Sequence, residues 1–302
     1  MKKKLLITGA SGFLGWNLCR LAVLKWKVCG VCHTHPVHTD GVTKIRLNLT
    51  DYGELKSAFN EIQPDAVIHT AAVSQPDVCQ VHPSETRKIN VDTPADIAGM
   101  CADLQIPCIF TSTDLVFDGL NPPYSETSPP DPICIYGEQK AQAEQAMLNR
   151  YPKTSVCRLP LMFGYAQGAR NFACQMIRSL SDGQSVRLFT DEYRTPADAE
   201  SVSEGLLLAM DKKVKGIIHL GGRTRISRYE MGRILAGLLN VSESLIRPVL
   251  QEDISTPAPR PPDVSLDSSK AYAMGYSPLD IGKAYQSILI KMIDYNGSGG
   301  SM

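Results

Sequence analysis

The chain predicts a doubly wound α/β fold, a parallel sheet covered by helices on both faces, with a smaller α/β unit built from the C-terminal part. Three observations predict it. Short apolar runs alternate with helical stretches through the first half, a glycine-rich turn joins the first run to the first helix, and the rhythm weakens past residue 160. A chain of 302 residues, 43% hydrophobic, has material for one large core or two modest ones.

The first strand is "KKLLIT", followed by a helix over 13–25 and a second strand, "KVCGVC". "VTKIRLNL" leads to a helix beginning near Asp51. "PDAVIHTAA" is apolar almost throughout, as expected of a strand buried on both faces. A helix over 84–104, the strand "IPCIFTST", a helix over 133–149 and the strand "TSVCRLP" complete the first half. The segment 118–132, "DGLNPPYSETSPPDP", has too many prolines for regular structure and is expected to be an ordered binding lid. Beyond it come a helix near 170–180, another near 199–210, the strand "GIIHL" and a helix from about Ser227. The division expected is 1–160 as a nucleotide-binding domain, with part of 199–220 returned to it, and 161–295 as an interleaved substrate unit. Residues 296–302, "NGSGGSM" with its neighbours small and polar, are expected to be a flexible tail.

Lys plus Arg and Asp plus Glu both total 31, so no global field favours nucleic acid or an anionic membrane, and any anionic ligand needs a local site. Nine cysteines, an odd number, read as reduced thiols and a cytoplasmic protein. Thr8, Ser11, Asn17 and Arg20 interrupt the apolar N-terminal stretch and leave no clean apolar h-region, so no leader is expected there, and no run reaches membrane-spanning length.

"ITGASGFLG" sets Gly9, Gly12 and Gly15 between strand and helix. Gly9 allows a tight turn, Gly12 the approach of a pyrophosphate, and Gly15 close packing of the helix, whose N-terminus then faces the phosphates. This is the dinucleotide turn of a Rossmann sheet, with Ser11, Phe13 and Leu14 beside the phosphates. In such a fold the second strand ends at the adenosine ribose. There the chain reads "VCGVCHTH", in which Cys29, Cys32 and His33 mimic a haem or metal motif. Residues three apart on a strand point to opposite faces, so Cys29 and Cys32 cannot share an ion, and no metal is expected. An NAD site would carry Asp or Glu at this point, whereas the chain has His33, Thr34 and His35. NADP(H) is therefore favoured, with NAD(H) accepted.

A second constellation is Thr113, ending the fifth strand, with Tyr136 and Lys140 in "YGEQK". The i, i+4 spacing puts phenol and ammonium on one helical face, where the cation is expected to lower the tyrosine pKa for proton transfer to a carbonyl. Tyr52 and Lys56 share that spacing in "YGELK", but precede the pocket strands and are read as a solvated face. His69 is read as packing or capping after its strand.

With these residues in place, the chain resembles the extended short-chain dehydrogenase/reductases, and within them the dTDP-4-dehydrorhamnose reductase group. "TGASGFLG", "PDAVIHTAA", "INVDTPADIA", "TSTDLVFDG", "YGEQKAQAE", "RLPLMFG", "RTP" and "SRYEM" fall in the group's order. The resemblance implies reduction of a nucleotide-linked keto sugar, with Tyr136 as general acid, Lys140 on the nicotinamide ribose and Thr113 on the substrate carbonyl. It implies Asn48 and Leu49 at the adenine, and Thr70, Ala71, Ala72 and Ser74 flanking the cofactor. Asn90 matches a buried helix asparagine of the superfamily, and a purely structural hydrogen-bonding role is equally compatible with it. Arg194 and Arg260 match basic positions facing the substrate, suited to a diphosphate. A homodimer is compatible with it. "VFDGLNPPY" and "RLPLMFG" also resemble the NADP-binding beta regulatory subunits of methionine adenosyltransferases. This implies an alternative, a subunit that docks to such an enzyme; Leu161 stands where the rhamnose enzymes carry a tryptophan facing the sugar.

Overall fold

A computed structural model describes residues 2–37, 39–167 and 171–298, and the side chains up to residue 294. The first half runs β1 (Lys4–Thr8), α1 (Phe13–Ala22), β2 (Lys27–Cys32), β3 (Val42–Arg46), α2 (Tyr52–Ile62), β4 (Ala66–His69), α3 (Pro76–Val81), α4 (Pro83–Arg87), α5 (Thr93–Leu104), β5 (Cys108–Thr113), α6 (Ile135–Arg150) and β6 (Ser155–Leu159). The second half runs β7 (Met162–Phe163), α7 (Phe172–Ser181), β8 (Val186–Phe189), β9 (Tyr193–Arg194), β10 (Ala197–Asp198), α8 (Ala199–Asp211), β11 (Gly216–His219), β12 (Ile226–Ser227), α9 (Arg228–Leu239), β13 (Ile246–Val249), α10 (Ser269–Ala273) and α11 (Ile281–Ser298).

Seven parallel strands form one sheet in the order β11-β6-β5-β4-β1-β2-β3. Period-2 alternation sends neighbouring residues to opposite faces. Leu5, Ile7, Val28, Ile68 and Ile109 pack under α1 and α8, through Leu14, Leu18, Val202 and Leu206. Leu6, Val31, Val67 and Phe110 pack under α2, α5 and α6, through Phe59, Ile97 and Met147. With both faces covered, β4, β5 and β6 are buried along their whole length. The same alternation separates the two cysteines of the metal-like motif, since Cys29 belongs to the α2/α5 side and Cys32 packs on the α1 side.

The chain returns to this sheet late. β11 pairs with β6 at its edge, and α8 covers it beside α1. A separate apolar cluster gathers Ile177, Leu180, Met231, Leu235, Tyr285 and Ile288 from α7, α9 and α11, with short strand pairs β7/β10, β9/β12 and β8/β13 around it. Ser227 caps α9 in a reciprocal arrangement with Glu230. At the C-terminus the expectation of a featureless tail is corrected: α11 continues through 296–298, carried by the packing of its earlier turns. Residues 299–302 lie outside the described residues.

One further expectation changes. The helix expected over 84–104 widens to a π-turn at Lys88–Asp92, with Thr93 N–H donating to the Lys88 carbonyl. Pro94 has no N–H to offer Asn90, so the ordinary bond is missing and the turn is free to widen. The 118–132 segment is a pinned loop. Tyr124 stacks on Phe117 at 4.1 Å, its hydroxyl accepts from Gly119 and Asn121, and its N–H donates to Ser265. Among the described residues no helix is long and apolar enough to cross a membrane.

Candidate functional site

The strand order reverses between β1 and β4, and connections leave the sheet there in opposite directions, opening a crevice at the carboxyl ends of the strands. A cleft of about 730 Å³ lies in it, within the range of small-molecule sites.

Its floor is the glycine turn, where Gly9, Ser11, Gly12, Phe13, Leu14 and Gly15 all line the cleft. Gly9 has φ +68°, and a Cβ there would meet Ala71 Cα at 2.8 Å; a Cβ on Gly15 would stand 2.1 Å from the Gly9 carbonyl oxygen. Only glycine lets β1, α1 and the 70–74 loop approach so closely. No side chain caps the start of α1, so its first N–H groups and positive dipole end are available to an anion.

One end of the cleft is walled by His33, Thr34 and His35 after β2, with Asn48, Leu49 and Thr50 after β3. The opposite wall is Thr70, Ala71, Ala72, Val73 and Ser74 after β4, with Tyr136 and Lys140 on α6. The 70–74 loop is fixed from two sides. Thr8 Oγ1 lies 2.6 Å from His69 Nδ1 and accepts from the N–H groups of Thr70 and Ala71. The Thr8 hydroxyl must then donate to His69, whose ring stays neutral because burial drives its pKa down to about 3. From the other side Asn90 accepts from Val73 N–H and donates to the Val73 carbonyl and to Gln139 on α6. Asn90 thus ties loop to helix, which is its structural reading. Tyr52, half exposed on α2, does not line the cleft.

Tyr136 and Lys140 are both buried. Lys140 Nζ sits 4.0 Å from the centre of the Phe110 ring, and burial lowers its pKa to about 7, with Glu144 opposing. The expectation that the cation lowers the tyrosine pKa is corrected. Burial raises Tyr136, and Cys79, Asp114 and Cys134 push the same way. Removing the phenolate from water is the largest cause.

Three other expected site residues lie outside the cleft lining. Thr113 does not line the cleft, because its hydroxyl accepts from Leu115 N–H and donates to Asp114, capping the turn that follows β5. Thr111 and Ser112 line it instead, and Ser112 Oγ is buried without a hydrogen-bond partner among the described residues. Arg194 offers no free fork: its terminal nitrogens lie 3.1 Å from Asp114 and 3.1 Å from Glu192, all three side chains buried. Arg260 is partly exposed, lies 3.9 Å from both Asp77 and Glu192, and is also outside the cleft. Among the cleft-lining residues that sequence reasoning missed are Thr50, Val73, Ile89, Thr111 and Ser112; the serine was legible in "TSTD" as a strand-end hydroxyl one residue before the one chosen.

A glycine cradle, an uncapped helix start and an orphaned buried hydroxyl fit a dinucleotide. Residues 3–294 match the RmlD substrate binding domain family. Among curated proteins, the methionine adenosyltransferase 2 subunit beta of Xenopus laevis is 30% identical, over 90% of this chain and 83% of its own. A probable low-salt glycan biosynthesis reductase of Haloferax volcanii is also 30% identical, over 87% of this chain and 89% of its own. A hypothetical dTDP-4-dehydrorhamnose reductase from Sulfolobus tokodaii superposes with TM-score 0.82 at 30% identity, over 93% of this chain and 98% of that one. The dTDP-4-dehydrorhamnose reductase of Bacillus anthracis, solved in complex with NADP, shares the fold at TM-score 0.85 and 22% identity, over 96% of this chain and 100% of that one.

Proposed function

The chain belongs to the RmlD substrate-binding family, and from that premise we propose that it is an NADPH-dependent reductase of a nucleotide-linked 4-keto sugar. The observation that carries the proposal is a single cleft with a glycine cradle at its floor and the buried Tyr136/Lys140 pair on its wall. NADPH bound there supplies a hydride to the carbonyl carbon of the sugar. The chain's own part is proton delivery and charge management. Burial keeps Tyr136 protonated at neutral pH, so its O–H donates to the carbonyl oxygen. Lys140, its proton affinity restored by an anionic dinucleotide, faces the phenolate left behind. Asn90, Gln139 and the Thr8–His69 pair hold α6 and the 70–74 loop in register with each other.

NADPH oxidation measured with dTDP-4-dehydrorhamnose tests the proposal directly. Tight cofactor binding with no turnover on any nucleotide ketosugar would overturn it. The cofactor preference has its own test. Thr34 is exposed on the cleft rim, and Thr34→Asp sets like charge against a 2′-phosphate while offering an acceptor to a free 2′-OH. The variant is expected to bind NADPH more weakly by up to about 2 kcal/mol, with NADH affinity kept or improved. An unchanged NADPH-to-NADH affinity ratio in titration calorimetry would show that this stretch does not choose the cofactor.

A second reading, supported by similarity to a subunit at the same identity as to a reductase and by Leu161 standing where the resemblance implies a sugar-facing tryptophan, is a regulatory subunit docking to a methionine adenosyltransferase. Co-purification with such an enzyme supports it. A protein that binds no such partner and turns over ketosugar removes it.

A further inference from the structure

We propose that Arg46 is the residue that selects a 2′-phosphorylated adenosine in the cleft, a role the sequence alone had assigned to His33, Thr34 and His35. The inference rests on the reading of the cleft as a dinucleotide site. Arg46 ends β3, and the parallel register sets it beside Cys32, the last residue of β2. Its Nε donates to the His33 carbonyl at 3.2 Å. This bond fixes the guanidinium against the backbone of the segment that lines the cleft where the ribose would lie. Both Nη groups make no hydrogen bond or ion pair among the described residues, and the side chain is exposed.

The two carboxylates that follow Arg46 in sequence, Asp51 and Glu54, are otherwise engaged. Asp51 caps α2 by accepting from Glu54 N–H, and Glu54 accepts from Asn48 N–H. Arg46 is therefore a cation held by its stem side with its fork free, beside a strand end that carries no Asp or Glu. A phosphate dianion suits that fork in charge and in planar two-pronged geometry. A free 2′-hydroxyl has little to offer it. Unlike an imidazole, a guanidinium is charged at every working pH, so the preference it confers persists where histidine is neutral.

The test uses half-ligands that occupy only the adenosine end, 2′,5′-ADP and 5′-AMP, titrated calorimetrically into wild type, Arg46→Gln and Arg46→Lys. Arg46→Gln is expected to lose roughly tenfold to a hundredfold in 2′,5′-ADP affinity, while 5′-AMP affinity changes by less than about twofold. Arg46→Lys is expected to recover part of the loss, because it restores charge without the fork. Retention of wild-type 2′,5′-ADP affinity by a normally folded Arg46→Gln protein would overturn the inference. Equal losses for both nucleotides would also overturn it, since the residue would then serve the site without discriminating. A wild-type protein that binds neither nucleotide would instead bring down the dinucleotide reading, and the inference with it.

Discussion

Replacing Tyr136 by Phe is expected to lower turnover by about a hundredfold to ten-thousandfold, the usual contribution of general acid catalysis. Affinity for the dinucleotide is expected to stay within about twofold, because the variant loses a proton and not a surface. The ring packs with Cys79, Cys134 and Ala258, and those contacts survive the substitution. The same burial that raises the phenol's pKa keeps the donor form fully populated at neutral pH. It also makes the phenolate costly after transfer, so a positive Lys140 is needed at that moment. Lys140→Met should thus reduce kcat and also weaken dinucleotide binding, whereas Tyr136→Phe reduces kcat alone. Single-turnover kinetics with a nucleotide ketosugar separate the two. A Phe variant at near wild-type rate would remove Tyr136 from the mechanism.

How far the sequence reached depended on whether a feature is local. The sheet strands, the glycine turn and the i, i+4 pair on α6 are set by periodicity or by fixed offsets, and each lies where its residues predicted. The opposite faces of Cys29 and Cys32 followed from strand geometry alone. The helix α11 was equally legible, with Ile281, Ala284, Tyr285 and Ile288 at 3.6-residue spacing, yet the exposed Ile290 and Ile293 blur that stripe by adding apolar residues to its outer face. The π-turn at Asn90 was hinted at by Pro94. Features joined across the chain were not legible. Arg46 reaches His33 through strand register. The partners of Arg194 come from the turn after β5 and from the residues before β9, elements whose proximity no spacing reveals. Thr113 is a different case, a local one: its hydroxyl accepts from Leu115 N–H two residues on, an engagement open to any threonine that precedes a turn.

The buried charges around Arg194 give the largest expected effect on stability. Asp114 and Glu192 are almost fully buried, and Arg194 bridges them. Arg194→Met fills similar volume but leaves Asp114 without an ion-pair partner, while Glu192 keeps Arg228 at 3.2 Å. Breaking a buried pair from one side typically costs about 3 to 5 kcal/mol, most of it the uncompensated charge. The pH dependence carries the sign of each carboxylate. Asp114 is raised by burial even with Arg194 in place; without the cation it rises further. A raised carboxylate destabilises the fold above its folded pKa and is relieved as pH falls and it takes up a proton. Glu192 runs the other way. Burial raises it, but Arg228 and Arg194 more than compensate and hold it at about 2. Its stabilising contribution is fully present above the unfolded glutamate pKa and is lost as pH falls below it toward the folded value of about 2. Urea denaturation at about pH 7.5 and about pH 5 should therefore show the deficit of Arg194→Met shrinking at the lower pH, because the raised carboxyl of Asp114 is the one relieved by protonation as pH falls. Adding Asp114→Asn to Arg194→Met should recover part of the loss at the higher pH, because it removes the stranded charge while keeping a side chain of the same shape. A single variant as stable as wild type at both pH values would mean that Arg194 is not holding these carboxylates together.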